Sequence, residues 1–159
     1  MPANERILPG LLDRLTAAAP QAQGARSSAA ATLKNYQQSV MRDLGWLLNA
    51  KAGLDEDVAK DFPEVGRSVL NFGTRDFCGV TASSVNVGEV ERELKEAIQL
   101  YEPRIISSTL SVKVVPSREK SGVNLLSFEI RAEVWAVPFP EQVFIRTELD
   151  LETGQYLIR

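Results

Sequence analysis

At 159 residues, with 44% apolar and 25% charged positions and a net charge of −3, the chain has the makeup of one soluble globular domain plus a tail. Zero histidines and a single cysteine, Cys78, exclude Ser-His and Cys-His catalytic pairs, an internal disulfide and a Cys/His zinc site. A pI of about 5.1 without a Lys/Arg run offers nucleic-acid phosphates nothing, and no apolar run approaches the roughly 20 residues of a membrane span. The N-terminal MPANERILPG lacks the apolar segment of a signal peptide. A reduced, cytoplasmic setting is therefore expected.

Residues 6–15, RILPGLLDRL, gather Leu8, Leu11, Leu12 and Leu15 into a short apolar cluster, either a frayed end or a short docking motif. The Ala/Ser/Gln/Gly-rich residues 16–31 have almost nothing to bury and predict a flexible linker. Residues 1–32 are thus a tail and 33–159 a domain. Residues 33–50 predict a helix, because Leu33, Tyr36, Val40, Leu44, Leu47 and Leu48 recur at steps of three and four. Met41 and Trp46 widen its apolar face, and Gly45, costing about 1 kcal/mol against Ala, marks a close contact. GLDEDVAKD predicts an acidic loop, and residues 63–73 a helical turn capped by a left-handed Gly73. Cys78, in a turn-rich stretch, is expected as a small buried filler. Residues 87–101 predict a second helix with Val87, Val90, Leu94, Ala97, Ile98 and Tyr101 on its apolar face. Glu89, Glu91 and Glu93 sit in its first turns, where the macrodipole favours acids.

Pro103 stops that helix, and the apolar period then changes from 3.6 to 2. Residues 104–115 predict a strand with Ile106, Leu110, Val112 and Val114 inward. Residues 123–135 predict a second, with Leu126, Phe128, Ile130, Ala132 and Val134 inward and Ser127, Glu129, Arg131 and Glu133 on a wet face. PSREKSG between them reads as a hairpin loop. After a turn at 137–142, residues 142–159 predict a third strand, a turn at Thr153-Gly154 and a short last strand that is an open edge. The fold class is α+β, with two main helices packed on one face of a three- to four-stranded antiparallel sheet.

Two features call for a partner. Glu102, Pro103 and Arg104 place two opposite charges on a corner stiffened by proline. As a plain helix stop its charges would be worth about 0–1 kcal/mol. As a binding site it would present a planar guanidinium fork in a preset geometry. Trp135 falls on the polar face of its strand, which makes it an interface candidate.

Several segments in order carry a resemblance: LLDRL, SVMRDLGWLLNAK, SVLNFG, LYEPRI and VPFPEQVFIRTELDLETGQ. Together they resemble the TssE family, the small baseplate subunit of bacterial type VI secretion systems. That family is itself similar to the lysozyme-related wedge protein of contractile phage baseplates. The resemblance covers nearly the whole chain except the Ala-rich linker. Gly45, Phe72 and Thr74-Arg75 depart from the family pattern. It implies a structural protein beside the TssF and TssG wedge subunits, at a baseplate docked on the cytoplasmic side of the inner membrane. It also implies a start point for the contractile TssB/TssC sheath, through a sheet that imitates a sheath subunit. The Glu102-Pro103-Arg104 corner is the family hallmark, and Leu11, Leu12, Leu15 and Trp135 complete the partner-binding residues that the reading assigns. No cofactor, metal, nucleic acid or membrane insertion is expected. The alternative is a small anti-adaptor-type regulatory protein of related fold.

The lysozyme-related label does not translate into glycosidase chemistry. Glu129 and Glu133 on one strand face stand about 13 Å apart, too far for a retaining or an inverting pair. The expectation is a protein that is not an enzyme.

Overall fold

The computed structural model describes residues 11–16, 29–81, 84–115, 124–136 and 139–158. PSREKSG and most of the tail, including residues 17–28 of its linker, lie outside the described residues, while Ala29 to Ala31 of the predicted linker are helical. Helix α1 is Leu11–Thr16, and α2 is Ala29–Asn49. Tyr36, Val40, Leu44, Leu47 and Leu48 of α2 are all buried, as the spacing predicts. The helix begins four residues before the expected start at 33, because Ala29 to Ala31 extend it at no side-chain entropy cost. Gly45 meets the last strand: a Cβ there would lie 3.4 Å from Ile158 Cδ1.

The acidic stretch predicted as a loop folds instead as α3, Glu56–Asp61. Asp55 caps it, accepting from the Asp57 N–H at 2.9 Å. Helix α4 follows at Pro63–Gly66, then a 3-10 turn at Val69–Asn71 begun by Ser68. Gly73 stands just past the Phe72 cap of that turn with the positive φ that the sequence suggests. Its φ is +134°, and it allows two backbones to touch: a Cβ would fall 2.4 Å from the Ala50 carbonyl oxygen. On either side, Thr74 N–H donates to Ala50 and Ala52 N–H to Thr74, both at 2.9 Å. Cys78 is exposed rather than buried, and its thiol donates to the Glu152 carbonyl at 3.1 Å. The glycine turn at Gly154, φ +70°, brings its backbone against Cys78 and so holds this segment at the surface.

Helix α5, Val87–Tyr101, has the predicted bounds and buries Val90, Leu94 and Ile98. Strands β1 (Ser111–Val115), β2 (Leu125–Val134), β3 (Glu141–Asp150) and β4 (Gln155–Ile158) form one antiparallel sheet in the order β1-β2-β3-β4. Phe128, Ile130, Val134, Ile145 and Leu149 face α2 and α5 across a single core. Among the described residues no helix is long and apolar enough to cross a membrane.

Two strand expectations change. β1 starts at Ser111, not at 104, and Ile105 rather than Ile106 is the deeply buried residue. The cause is a crossing of the end of β2: Ile105 bridges Val134, while Thr109 Oγ1 accepts the Glu133 N–H at 2.9 Å. The outer sheet face is also drier than alternation predicts, with Ser127 and Glu129 buried. Arg131 and Arg146 close over the Glu129 carboxylate, and their guanidinium groups lie 5.5 and 5.9 Å from the Phe144 ring.

The two sheet edges differ. On β1, the Val114 N–H donates to Glu91 of α5 at 2.6 Å, so a helix side chain occupies that edge. On the other side β4 pairs only with Thr147 to Asp150. Among the described residues no strand covers 141–146 of β3 on that side. Leu151 N–H faces the β2 side and the Asp150 carbonyl the β4 side, so by alternation the backbone groups of Gln142, Phe144 and Arg146 face the open edge.

Candidate docking groove at the Glu-Pro-Arg corner

Helix α5 ends because Pro103 has no N–H to continue it. Glu102 closes its last turn, donating its N–H to the Ile98 carbonyl at 2.9 Å. Its carbonyl accepts from Ile105 at 3.1 Å, which folds the corner back on itself. The Glu102 side chain turns inward and the residue is only 4% exposed. A carboxylate in that position needs a partner, and Arg104 supplies it. Arg104 Nε donates to Glu102 Oε1 at 2.7 Å and one terminal nitrogen donates to Oε2. The same nitrogen reaches Asp43 Oδ2 at 2.6 Å, and the other reaches Ser39 Oγ at 3.2 Å. Asp43 and Ser39 belong to α2, so the planar fork clasps the end of α5 to the middle of α2. Hydrogen bonding to Glu102 raises the Arg104 pKa above its ordinary value; burial opposes this and Asp43 adds to it.

The ion chain continues outward. Arg42 Nε donates to Asp43 Oδ1 at 2.9 Å, and its Nη1 donates to Asp13 of α1. The Arg42 guanidinium also covers the Trp46 ring at 4.9 Å. Helix α1 is thereby held beside α2, and Leu12 becomes a wall of a shallow open groove of about 380 Å³. Trp46, Leu47, Phe72, Tyr101 and Pro103 form the other apolar walls, and Asp43, Glu102 and Arg104 the polar ones. Phe72 and Tyr101 meet edge to face at 5.2 Å, and Tyr101 Oη donates to the Ser68 carbonyl at 3.0 Å. An open, aromatic-walled groove with its charges already paired suits side chains projected by another protein's helix. Among the described residues no group of three or more His, Cys, Asp or Glu side chains could hold a metal ion.

Leu12 lies ninety positions before Glu102, yet the groove unites it with Glu102, Pro103 and Arg104. Leu15 of the same helix is 73% exposed and does not line the groove; the Leu11 side chain lies outside the described residues. Trp135 is tied to the corner through its backbone, whose N–H donates to the Arg104 carbonyl at 2.9 Å, while its ring is exposed and outside the groove. Sequence reasoning did not assign Asp43, Trp46, Phe72 or Tyr101 to a site. Trp46 and Tyr101 stand in the apolar helix stripes, and their place at the rim follows only from how the two helices cross.

The ion pair between Asp13 and Arg42 is about one-third exposed on each side, which limits it to about 0–1 kcal/mol. Asp13→Ala should therefore leave the melting temperature within about 4 °C of the wild type. It should nevertheless loosen α1 and expose Trp46. Acrylamide quenching of Trp46, read in a Trp135→Phe background, is expected to rise. Unchanged quenching would mean that Asp13 does not hold α1 in place.

A family model described as baseplate wedge protein gp25 matches residues 34–138. Neither the curated proteins nor the solved structures compared with the chain give a match. The matched region runs from the first turns of α2 through α5 and the clasped corner to the end of β2, well over half of the sequence, and the protein belongs to the family of baseplate wedge protein gp25.

Proposed function

We propose that the protein is a structural subunit of a bacterial type VI secretion baseplate, and not an enzyme. It joins the wedge beside TssF and TssG through the corner groove and starts the TssB/TssC sheath at its open sheet edge. Its place is the cytoplasmic side of a baseplate docked on the inner membrane. The groove carries this reading: four sequence-assigned residues, one at position 12 and three at 102–104, line one apolar cleft beside a rigid corner. Membership of a baseplate wedge family supports an assembly role for that cleft. The uneven sheet supports the sheath step. Glu91 occupies one edge, while among the described residues no strand pairs with the 141–146 reach of β3 on its outer side, where an incoming strand could add.

Co-purification with TssF and TssG tests the wedge step. The wild type should be retained, and a folded Leu12→Ser/Trp46→Ser variant should lose about tenfold or more in affinity. Equal retention would remove the groove from the interface. The sheath step is tested at Phe144, whose N–H faces the open edge. Phe144→Pro deletes that donor without touching the β2–β3 ladder, and proline is tolerated at such positions. It should join the wedge but support few sheaths, whereas Phe144→Ser, which keeps the N–H, should build them. Normal sheath assembly by Phe144→Pro would rule out strand addition at this edge.

A further inference from the structure

The unit made by α3, α4 and the 3-10 turn carries a second surface that the groove does not use. Val58 and Phe62, one helical turn apart, are 40% and 61% exposed, and Val69 and Leu70 are 80% and 72% exposed. Helix α3 faces inward through Ala59, which lies against Gly66; a Cβ on Gly66 would come within 3.2 Å of the Ala59 Cβ. Val58 and Phe62 are thus left outward. The unit is held in shape from within. Asn71 donates to the Gly66 carbonyl at 3.0 Å and accepts from Leu54 N–H at 3.3 Å. Tyr101 Oη pins the Ser68 carbonyl. Little ordering cost would therefore attend binding here.

The charge around these side chains defines what covers them. Between Asp55 and Arg67 the sequence has five acids and only two bases, a net charge of −3. The whole chain also has a net charge of −3, so the remainder is neutral and the imbalance belongs to this unit. A second copy would bring like charge against like charge, and an anionic lipid surface would be repelled. An apolar strip edged with cationic side chains is complementary in both respects.

We propose that this surface docks a basic amphipathic helix of another protein, independently of the corner groove and of the baseplate reading. The probe is a labelled Lys/Leu helical peptide of about 18 residues, with a Glu/Leu peptide of the same apolar face as its counterpart. Both are titrated into the full chain and followed by fluorescence anisotropy. The Lys/Leu peptide should bind, and salt at about 0.5 M should weaken it. Val69→Ser/Leu70→Ser, at exposed positions that leave the core untouched, should cost about tenfold or more in affinity. Leu12→Ser, in the groove, should cost nothing. Equal binding of the two peptides, or no loss in the Val69→Ser/Leu70→Ser variant, overturns the proposal. So does self-association, read by sedimentation, that this variant abolishes, since the occupant would then be a second copy. Preferential binding to vesicles rich in anionic lipid would overturn it too.

Discussion

Arg104→Ala is expected to lower the stability of the domain by about 2–3 kcal/mol, or about 5–10 °C in melting temperature. Read as a sequence, the corner presents two outward charges, and this substitution would leave the fold intact while abolishing sheath assembly. The geometry adds a structural cost. Glu102 is 4% exposed, and without the guanidinium its carboxylate keeps, among the described residues, the backbone N–H of residue 104 at 3.2 Å. A desolvated charge left without its partner is the expensive outcome. The Arg104 side chain is itself 22% exposed, so the figure stays below that of a fully interior pair. Arg104→Lys should fall between, because one ammonium cannot span Glu102, Asp43 and Ser39 together. Glu102→Gln should recover part of the loss in the Arg104→Ala background, giving a coupling of about 1 kcal/mol or more in a double-mutant cycle. The folded-state pKa of Arg104 is raised above an unfolded-state value that already lies far above neutral, so its contribution is complete through neutral and mildly alkaline pH and is lost only at strongly alkaline pH. The deficit of Arg104→Ala should thus be the same at pH 7 and at pH 9. Urea unfolding of the four variants measures all of this, and a wild-type midpoint for Arg104→Ala would show that the clasp does not carry the corner. The result also governs how binding data are read: loss of wedge binding by Arg104→Ala counts as a lost contact only at temperatures where the variant is folded.

Gly73→Ala should be costlier, at about 3–5 kcal/mol. Two effects add. At φ +134° an L side chain is strained by itself. The new Cβ would also fall 2.4 Å from the Ala50 oxygen, 2.6 Å from its carbon and 2.9 Å from Ala52 N, all of them backbone atoms that cannot rotate away. Relief requires the segment after the 3-10 turn to separate from the end of α2, which breaks the paired bonds between Thr74 and Ala50 or Ala52. Phe72, a groove wall, precedes Gly73 and would move with it. Gly79→Ala isolates the first effect: its φ is +78°, and nothing lies within 4 Å of a Cβ there. That variant should lose about 1 kcal/mol. Denaturation midpoints compare the two directly, and equal losses would mean that the close approach at Gly73 is easily relaxed.

The two main helices and the meander that they cover were legible because each carries a long, clean period. The α5 stripe of Val90, Leu94 and Ile98 predicts its buried residues one by one, and the inward set of β2 from Phe128 to Val134 behaves likewise. Burial on one face leaves a repeat in the sequence, and a repeat can be read without knowing what it packs against. The corner was also legible as a motif, since a proline after an apolar helix stripe is a local signal. What the motif does with its charges was not. Whether Glu102 and Arg104 point at solvent or at each other depends on Asp43 and Ser39, some sixty residues away on another helix. The same holds for the burial of Glu129, which two arginines and Phe144 impose, and for Ile105 in place of Ile106, which the end of β2 decides. It holds for Gly73, where the residue type announces an unusual backbone but only Ala50 explains it. By itself the sequence determined the periodic elements, the helix stop and the absence of histidine-based chemistry. The tertiary structure alone decided which charges meet, which glycine is a contact and which residues from α1, α2, α5 and the 72–73 segment close around one groove. These depend on distances between elements far apart in the chain, and no local pattern encodes such distances.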